Sequence, residues 1–203
     1  MKASARTDVG LVRTVNEDNY LLKDVLFAVA DGLGGHEAGE VASEMAVEIL
    51  QKQLSPFEDD PTDKIRDVFQ EINNAIYKRS IQDNNCKGMG TTLTALLIQD
   101  STAYIGHVGD SRLYLIRKGI IFQLTEDHSV VGELVKIGML TKDEARSHPQ
   151  RNLLTRAIGT LPTIDVEISN STVEPGDRFV LCTDGLSGAI DDSTILDVVL
   201  SQQ

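Results

Sequence analysis

Positive charge, cysteine and long hydrophobic runs are all scarce in this 203-residue sequence. Nineteen Lys and Arg stand against 31 Asp and Glu, a net charge of −12. Binding to a nucleic-acid backbone or an anionic membrane needs clustered basic residues, so neither partner is expected. Only two cysteines occur, Cys86 and Cys182. They form no C-x-x-C pair, which argues against a zinc site and a disulfide framework. Cys182 ends the apolar run Phe179-Val-Leu-Cys182 and is expected to be a buried thiol. The opening Met1-Lys-Ala-Ser-Ala-Arg6 is not followed by the apolar stretch of a signal peptide. No window approaches the about 20 apolar residues of a membrane span. A reducing cytoplasm is therefore the expected setting. Low-complexity tracts, linkers and solenoid repeats are missing too. What remains, 41% hydrophobic and 25% charged, suits one soluble domain with a sizeable core.

Two segments carry helical periodicity. Glu40 to Leu54 spaces Val41, Met45, Ile49 and Ala42, Ala46, Leu50, Leu54 at helical intervals, and Thr62 to Gln82 stacks Ile65, Val68, Phe69, Ile72 and Ile76 in one stripe. Ser55-Pro56 follows the first and Pro61 precedes the second. Short apolar runs bounded by Gly, Asp or Lys-Gly predict strands at Val25–Ala30, Thr92–Ile98, Thr102–Val108, Leu113–Ile116, Ile120–Leu124 and Arg178–Thr183. Lys118-Gly119 predicts a hairpin between two of them. Many runs are apolar on both faces, as in a sheet covered on both sides. The order of elements predicts an α+β fold of two packed sheets with helices outside. Thr125 to Pro162 differs, with short helical patterns at Val130–Ile137 and Lys142–Ser147 and Arg-rich loops. It is read as an inserted subdomain over one edge.

Three predicted strands end in aspartate: Leu26-Phe-Ala-Val-Ala-Asp31-Gly32, Tyr104-Ile-Gly-His-Val-Gly-Asp110 and Phe179-Val-Leu-Cys-Thr-Asp184-Gly185. One Asp-Gly alone is most often a turn. Three strand-end carboxylates, two in the tripeptide Asp-Gly-Leu, instead point to an oxygen-rich pocket. Carboxylates crowded there must protonate or bind a hard cation. Upstream, Arg13-Thr-Val-Asn16-Glu17-Asp18 adds two carboxylates and an arginine, the side chain that grips phosphate through two parallel hydrogen bonds. Taken alone, that stretch and Gly109-Asp110-Ser111-Arg112 would read as polar loops with surface ion pairs.

Together the pieces are specific. Gly10-Leu-Val-Arg13-Thr-Val-Asn16-Glu17-Asp18, Val29-Ala-Asp31-Gly32-Leu-Gly34-Gly35-His36, Gly88-Met-Gly90-Thr91-Thr92, Gly106-His-Val-Gly109-Asp110-Ser111-Arg112 and Thr183-Asp184-Gly185-Leu186 resemble, in order, the motifs of bacterial protein phosphatase 2C (PPM) enzymes. The resemblance spans the chain from about Ser4 onward. It implies an α-β-β-α sandwich of two antiparallel sheets around a binuclear Mn²⁺ or Mg²⁺ centre. Asp31 would bridge the metals. The Gly32 carbonyl and the Glu17-Asp18 pair, with Asp18 in contact, would serve one, and Asp184 the other. Asp110 and Asp184 would form a third, weaker site. Arg13 would bind phosphate, His36 would protonate the leaving oxygen or touch substrate, and the stretch of about 125–162 would be the flap.

The implied activity is hydrolysis of phosphoserine and phosphothreonine in proteins by a metal-activated water, opposing a bacterial Ser/Thr kinase that is itself a plausible substrate. Two departures stand out. Leu33 follows Asp-Gly where many eukaryotic members have histidine. The family also continues past its last helix to a strand with an Asp-Asn pair whose aspartate binds metal, whereas this sequence ends at Gln203. A single, C-terminally incomplete phosphatase domain over 1–203 is therefore expected. It would be a monomer able to self-associate through the uncovered sheet edge. The competing reading is a catalytically weak or inactive phosphoprotein-binding module lacking one ligand.

Overall fold

The computed structural model describes residues 1–34, 38–54 and 60–201. A first sheet contains β1 (Asp18–Lys23), β2 (Leu26–Leu33), β3 (Gly90–Thr91), β4 (Leu93–Gln99), β5 (Thr102–Val108) and β8 (Glu167–Thr172). Its order is β1-β2-β4-β5-β8, with β3 against the end of β2. A second, three-stranded sheet has the order β7-β6-β9, from β6 (Arg112–Arg117), β7 (Ile120–Gln123) and β9 (Arg178–Cys182). All pairings are antiparallel.

Helices α1 (Ala38–Gln53) and α2 (Thr62–Gln82) cover the outer face of the first sheet. Their buried stripes, Ala42, Ala46 and Leu50 on α1 and Ile65, Phe69, Ile72 and Ile76 on α2, pack on Leu26, Ala28, Ala30 and Ala95. Alternation along β2 sends Phe27 to the opposite face, into the layer between the sheets with Leu96, Ile105, Leu113 and Leu181. Beyond the second sheet, Tyr114 and Cys182 pack against Ile195 of α6 (Asp192–Ser201). The layers run α-β-β-α, as expected. Lys118 and Gly119 close the β6–β7 hairpin with positive φ of 52° and 79°, the type I′ geometry.

Three strands escaped the sequence reading, β1, β3 and β8. β1 and β8 lie at edges of the first sheet and are half-exposed, and β3 is only two residues long. Asp31 does not end its strand but lies inside β2, opposite Asp18 in the β1–β2 register. Asp184 opens a one-turn helix, α5 (Asp184–Ser187), which was also not predicted.

The 125–162 stretch carries α3 (Val130–Lys136) and α4 (Lys142–Ser147). The Ser129 hydroxyl caps α3 and a Thr141–Glu144 capping box starts α4. Its far end is stitched to the first sheet by reciprocal backbone bonds between Thr91 and Ile158. Buried Asn73 on α2 adds two more, donating to the Leu161 carbonyl at 3.0 Å and accepting from the Gly159 amide at 2.8 Å. Asn73→Leu keeps the volume but strands both backbone groups. We expect a loss of about 2–3 kcal/mol, the cost of unpaired buried polar groups, read by urea denaturation. An unchanged midpoint would mean water replaces the amide.

Candidate metal centre

The β1–β2 register places Asp18 directly opposite Asp31, so both carboxylates project from one face of the sheet. The backbone around them is fixed from several sides. Asp31 N–H donates to Thr92 Oγ1 at 2.9 Å, Thr92 N–H donates to the Asp31 carbonyl, and Thr91 Oγ1 donates to the same carbonyl. The Thr92 and Ser111 hydroxyls are 2.7 Å apart, tying this network to the residue after Asp110. The Gly88–Thr92 motif therefore works as a clamp on the peptide of Asp31. Gly32 donates to the Glu17 carbonyl, and a Cβ at Gly32 would sit 2.1 Å from the Gly39 carbonyl oxygen of α1. Only glycine allows the start of α1 to approach this closely.

Arg13, Glu17, Asp18, Asp31, Gly32, Asp110 and Asp184 all line one cavity of about 340 Å³. Every predicted site residue within the described set thus converges. His36 lies outside the described residues. Thr183 Oγ1 donates to Asp18 Oδ2 at 2.8 Å, linking the second sheet to the first across the centre. Asn152 and Leu154, from the inserted stretch, complete the wall. Sequence reasoning missed them, because a neutral side chain in an Arg-rich loop carries no pattern. Asn152, Asp110 and Asp184 also border a second cavity of about 780 Å³, beneath the inserted stretch and lined by Arg146, Arg151 and Arg156.

Electrostatics show what the carboxylates lack. Burial, then the charges of Asp18, Asp184 and Asp110 and a hydrogen bond with Asp184, push the Asp31 carboxyl up to about 8. Asp110 is raised to about 7 by burial and by Asp184 and Asp127, against the pull of Arg112. Asp18 is raised as well, first by burial; Thr183 and Arg13 oppose the rise and Asp184 adds to it. Glu17 Oε1 is buried and has no hydrogen-bond partner among the described residues. Converging carboxylates and an orphaned oxygen are the donor set a hard divalent cation satisfies, so the residues fit a Mn²⁺ or Mg²⁺ centre. The thiols do not belong to it. Cys86 and Cys182 are buried elsewhere, and burial pushes the Cys182 thiol up to about 11.

With this geometry in hand, comparison with known proteins is direct. The family profile of protein phosphatase 2C matches residues 13–201. Protein phosphatase PhpP of Streptococcus pneumoniae is 42% identical over 99% of this chain and 85% of its own length. The Mycobacterium tuberculosis serine/threonine phosphatase PstP/Ppp superposes with a TM-score of 0.88 at 40% identity, over 97% of this chain and 83% of that one. The catalytic domain of PstP in complex with two manganese ions gives a TM-score of 0.89 at 38% identity, over 97% and 83% of the two chains. Fold, ordered motifs and these matches agree, and the chain belongs to the protein phosphatase 2C family.

Proposed function

We infer that this protein is a metal-dependent serine/threonine protein phosphatase acting on phosphoproteins. The observation that carries the reading is the single cavity holding Arg13 together with Glu17, Asp18, Asp31, Gly32, Asp110 and Asp184. Relatives named serine/threonine phosphatases support it, and they give no support to an inactive binding module.

Asp18, Asp31, Asp184 and the Gly32 carbonyl, with Glu17 beside Asp18, would hold two Mn²⁺ or Mg²⁺ ions. Asp110 with Asp184 would hold a third ion. Bound cations supply charge neutralisation and an acidified water as nucleophile near neutral pH. Arg13 presents a planar fork to the phosphate oxygens and orients the phosphorus for in-line attack. Asp31 and Asp110, near-neutral acids when the site holds no cation, give up their protons as cations bind. His36 is proposed to protonate the leaving oxygen or contact substrate. No thiol takes part.

The 125–162 stretch would act as the flap of a single phosphatase domain, with Asn152 at the junction between the reaction cavity and the larger one. Phosphorylated proteins are the substrate class, a Ser/Thr kinase of the same cell among them. The working form is proposed to be a monomer in the cytoplasm. No helix among the described residues is long and apolar enough to cross a membrane.

Phosphate release from phosphoserine and phosphothreonine peptides tests the assignment. Release is expected with Mn²⁺ and should stop with chelator. No release with Mn²⁺, or release indifferent to chelator, overturns it. Arg13→Lys separates roles further. Lysine keeps the charge but loses the two-point fork, so KM should rise about tenfold, the order of one charge-assisted hydrogen bond. Calorimetric Mn²⁺ affinity should stay near wild type. Equal loss of both would make Arg13 a structural residue.

A further inference from the structure

Behind Asp110, three groups that no step above uses sit together. His107 and His128 are 0% and 4% exposed, and their rings lie 4.7 Å apart at a 35° tilt. Glu167 on β8 completes the cluster, opposite His107 in the β5–β8 register. The ligand atoms of the three lie within 4.8 Å of one another, close enough to suggest a second metal site.

Proton placement decides against that. The Gly109 amide donates to His128 Nδ1 at 3.1 Å, so Nδ1 carries no proton. The His128 proton is then on Nε2, where it is donated to Glu167 Oε2 at 3.1 Å. A cation on Nε2 would drive that proton to Nδ1, against the Gly109 N–H. His107 Nε2 faces the Glu126 carbonyl at 2.9 Å, an acceptor only, which places a proton on Nε2; Nδ1 lies 2.8 Å from the Thr94 hydroxyl, whose single proton is also within reach of the Ser111 carbonyl at 3.0 Å. Both ring nitrogens of His128 are thus occupied by protein groups.

The cluster therefore works as a brace. Besides taking the Gly109 amide proton on its ring, His128 donates its own backbone N–H to the Gly109 carbonyl at 2.7 Å. Both polar backbone atoms of the residue before Asp110 are held by one histidine, and Glu167 holds that histidine to the first sheet. Burial keeps water from substituting for either bond. We propose that His128, fixed by Glu167, is a positioning residue that sets the Gly109–Asp110 peptide and so aims the Asp110 carboxylate into the metal centre. The proposal rests on the reading of Asp110 as a ligand of the third ion. It predicts that damage at His128 or Glu167, away from the cavity's other ligands, weakens the Asp110-dependent ion selectively, by about tenfold, as loss of a ligand's supporting partner does.

Four variants test it: Asp110→Asn, His128→Leu, Glu167→Ala and Glu167→Gln. Each is followed by calorimetric Mn²⁺ titration and by exchange of the Gly109 amide with deuterium. ¹⁵N shifts of the wild-type rings report the tautomers. The expected result is an Nε2–H tautomer for His128, faster Gly109 exchange in His128→Leu and Glu167→Ala, and about tenfold weaker binding of the weakest Mn²⁺ in both. Glu167→Gln, which still accepts the His128 proton, should recover wild-type values. An Nδ1–H tautomer overturns the proposal, as does wild-type Mn²⁺ binding in His128→Leu while Asp110→Asn loses an ion. Should His128→Leu fail to fold, the Glu167→Ala and Glu167→Gln pair decides by the same criteria. If Asp110→Asn itself leaves Mn²⁺ binding intact, the ligand reading fails and the proposal falls with it. Gly109 exchange then still reports whether the brace exists.

Discussion

Asp31→Ala should abolish Mn²⁺-dependent phosphate release, by at least about a thousandfold, the upper range for losing one preorganised charge-stabilising group. It should also raise the melting temperature of the protein in chelator. Both effects have one cause. Asp31 is the carboxylate that burial and three neighbouring aspartates force up to about 8, so it is the most costly charge to keep without a cation and the most central one to a bound pair. Alanine removes the repulsion and the ligand together. Loss of activity with a lower melting temperature in chelator would instead mark Asp31 as a framework residue. Unchanged Mn²⁺-dependent turnover would remove it from the site.

The same carboxylates fix a pH dependence for protein in chelator. Asp31 titrates near 3.8 unfolded and near 8 folded, so the folded chain holds an extra proton in that window. Stability therefore falls as pH rises through it, and Asp110, raised to about 7, acts in the same direction. His107 opposes them only at lower pH. Burial and His128 lower it from 6.5 to about 4, so its contribution grows as pH rises between those values and is complete above 6.5. Between pH 6.5 and about 8 the carboxylates act alone, and the melting temperature should drop. Asp31→Ala should flatten that drop, and excess Mn²⁺ should flatten it in the wild type. A melting temperature that climbs over this interval contradicts the repulsion described here.

How much of this was legible in the sequence depends on which signal each residue carried. The helix Thr62–Gln82 and the strand Thr102–Val108 were read to the residue, since each buries a continuous apolar stripe or run. β1 was not predicted because only Leu21 of its six residues is buried while Tyr20 and Leu22 face outward. β8, Glu-Ile-Ser-Asn-Ser-Thr, is held mainly by its ladder with β5, and backbone pairing leaves no mark on side-chain pattern. The site itself was legible because its carboxylates recur in fixed motifs. Their supports were less so. Arg112, read alone as a surface ion-pair residue, is mostly buried against Asp127, and Asn152 reaches the cavity from a loop with no periodic signal. His128 and Glu167 stand 39 residues apart and meet only through the fold.

Arg112 supplies the second large effect. It opens β6 two residues after Asp110 and forms a two-point pair with Asp127, Nε to Oδ1 at 2.9 Å and Nη2 to Oδ2 at 2.6 Å. Its Nη1 donates to Tyr114 Oη, which in turn donates to Asp192 of α6. The Arg112 and Asp127 side chains are 22% and 15% exposed, so little water is at hand to replace either partner. Asp127→Ala leaves the guanidinium uncompensated in that setting. Breaking a buried pair costs about 3–5 kcal/mol, and residual exposure with Asp192 at 3.9 Å sets the expectation near the lower limit. For a chain of this size that is a fall of about 6–12 °C in melting temperature. The double variant Arg112→Met, Asp127→Leu should recover most of the loss, because an apolar pair of similar volume carries no desolvated charge. Thermal unfolding of the wild type, the single and the double variant gives the answer. A double variant as unstable as Asp127→Ala would show that the two side chains act through packing shape and hydrogen bonds, and that the ion pair contributes little.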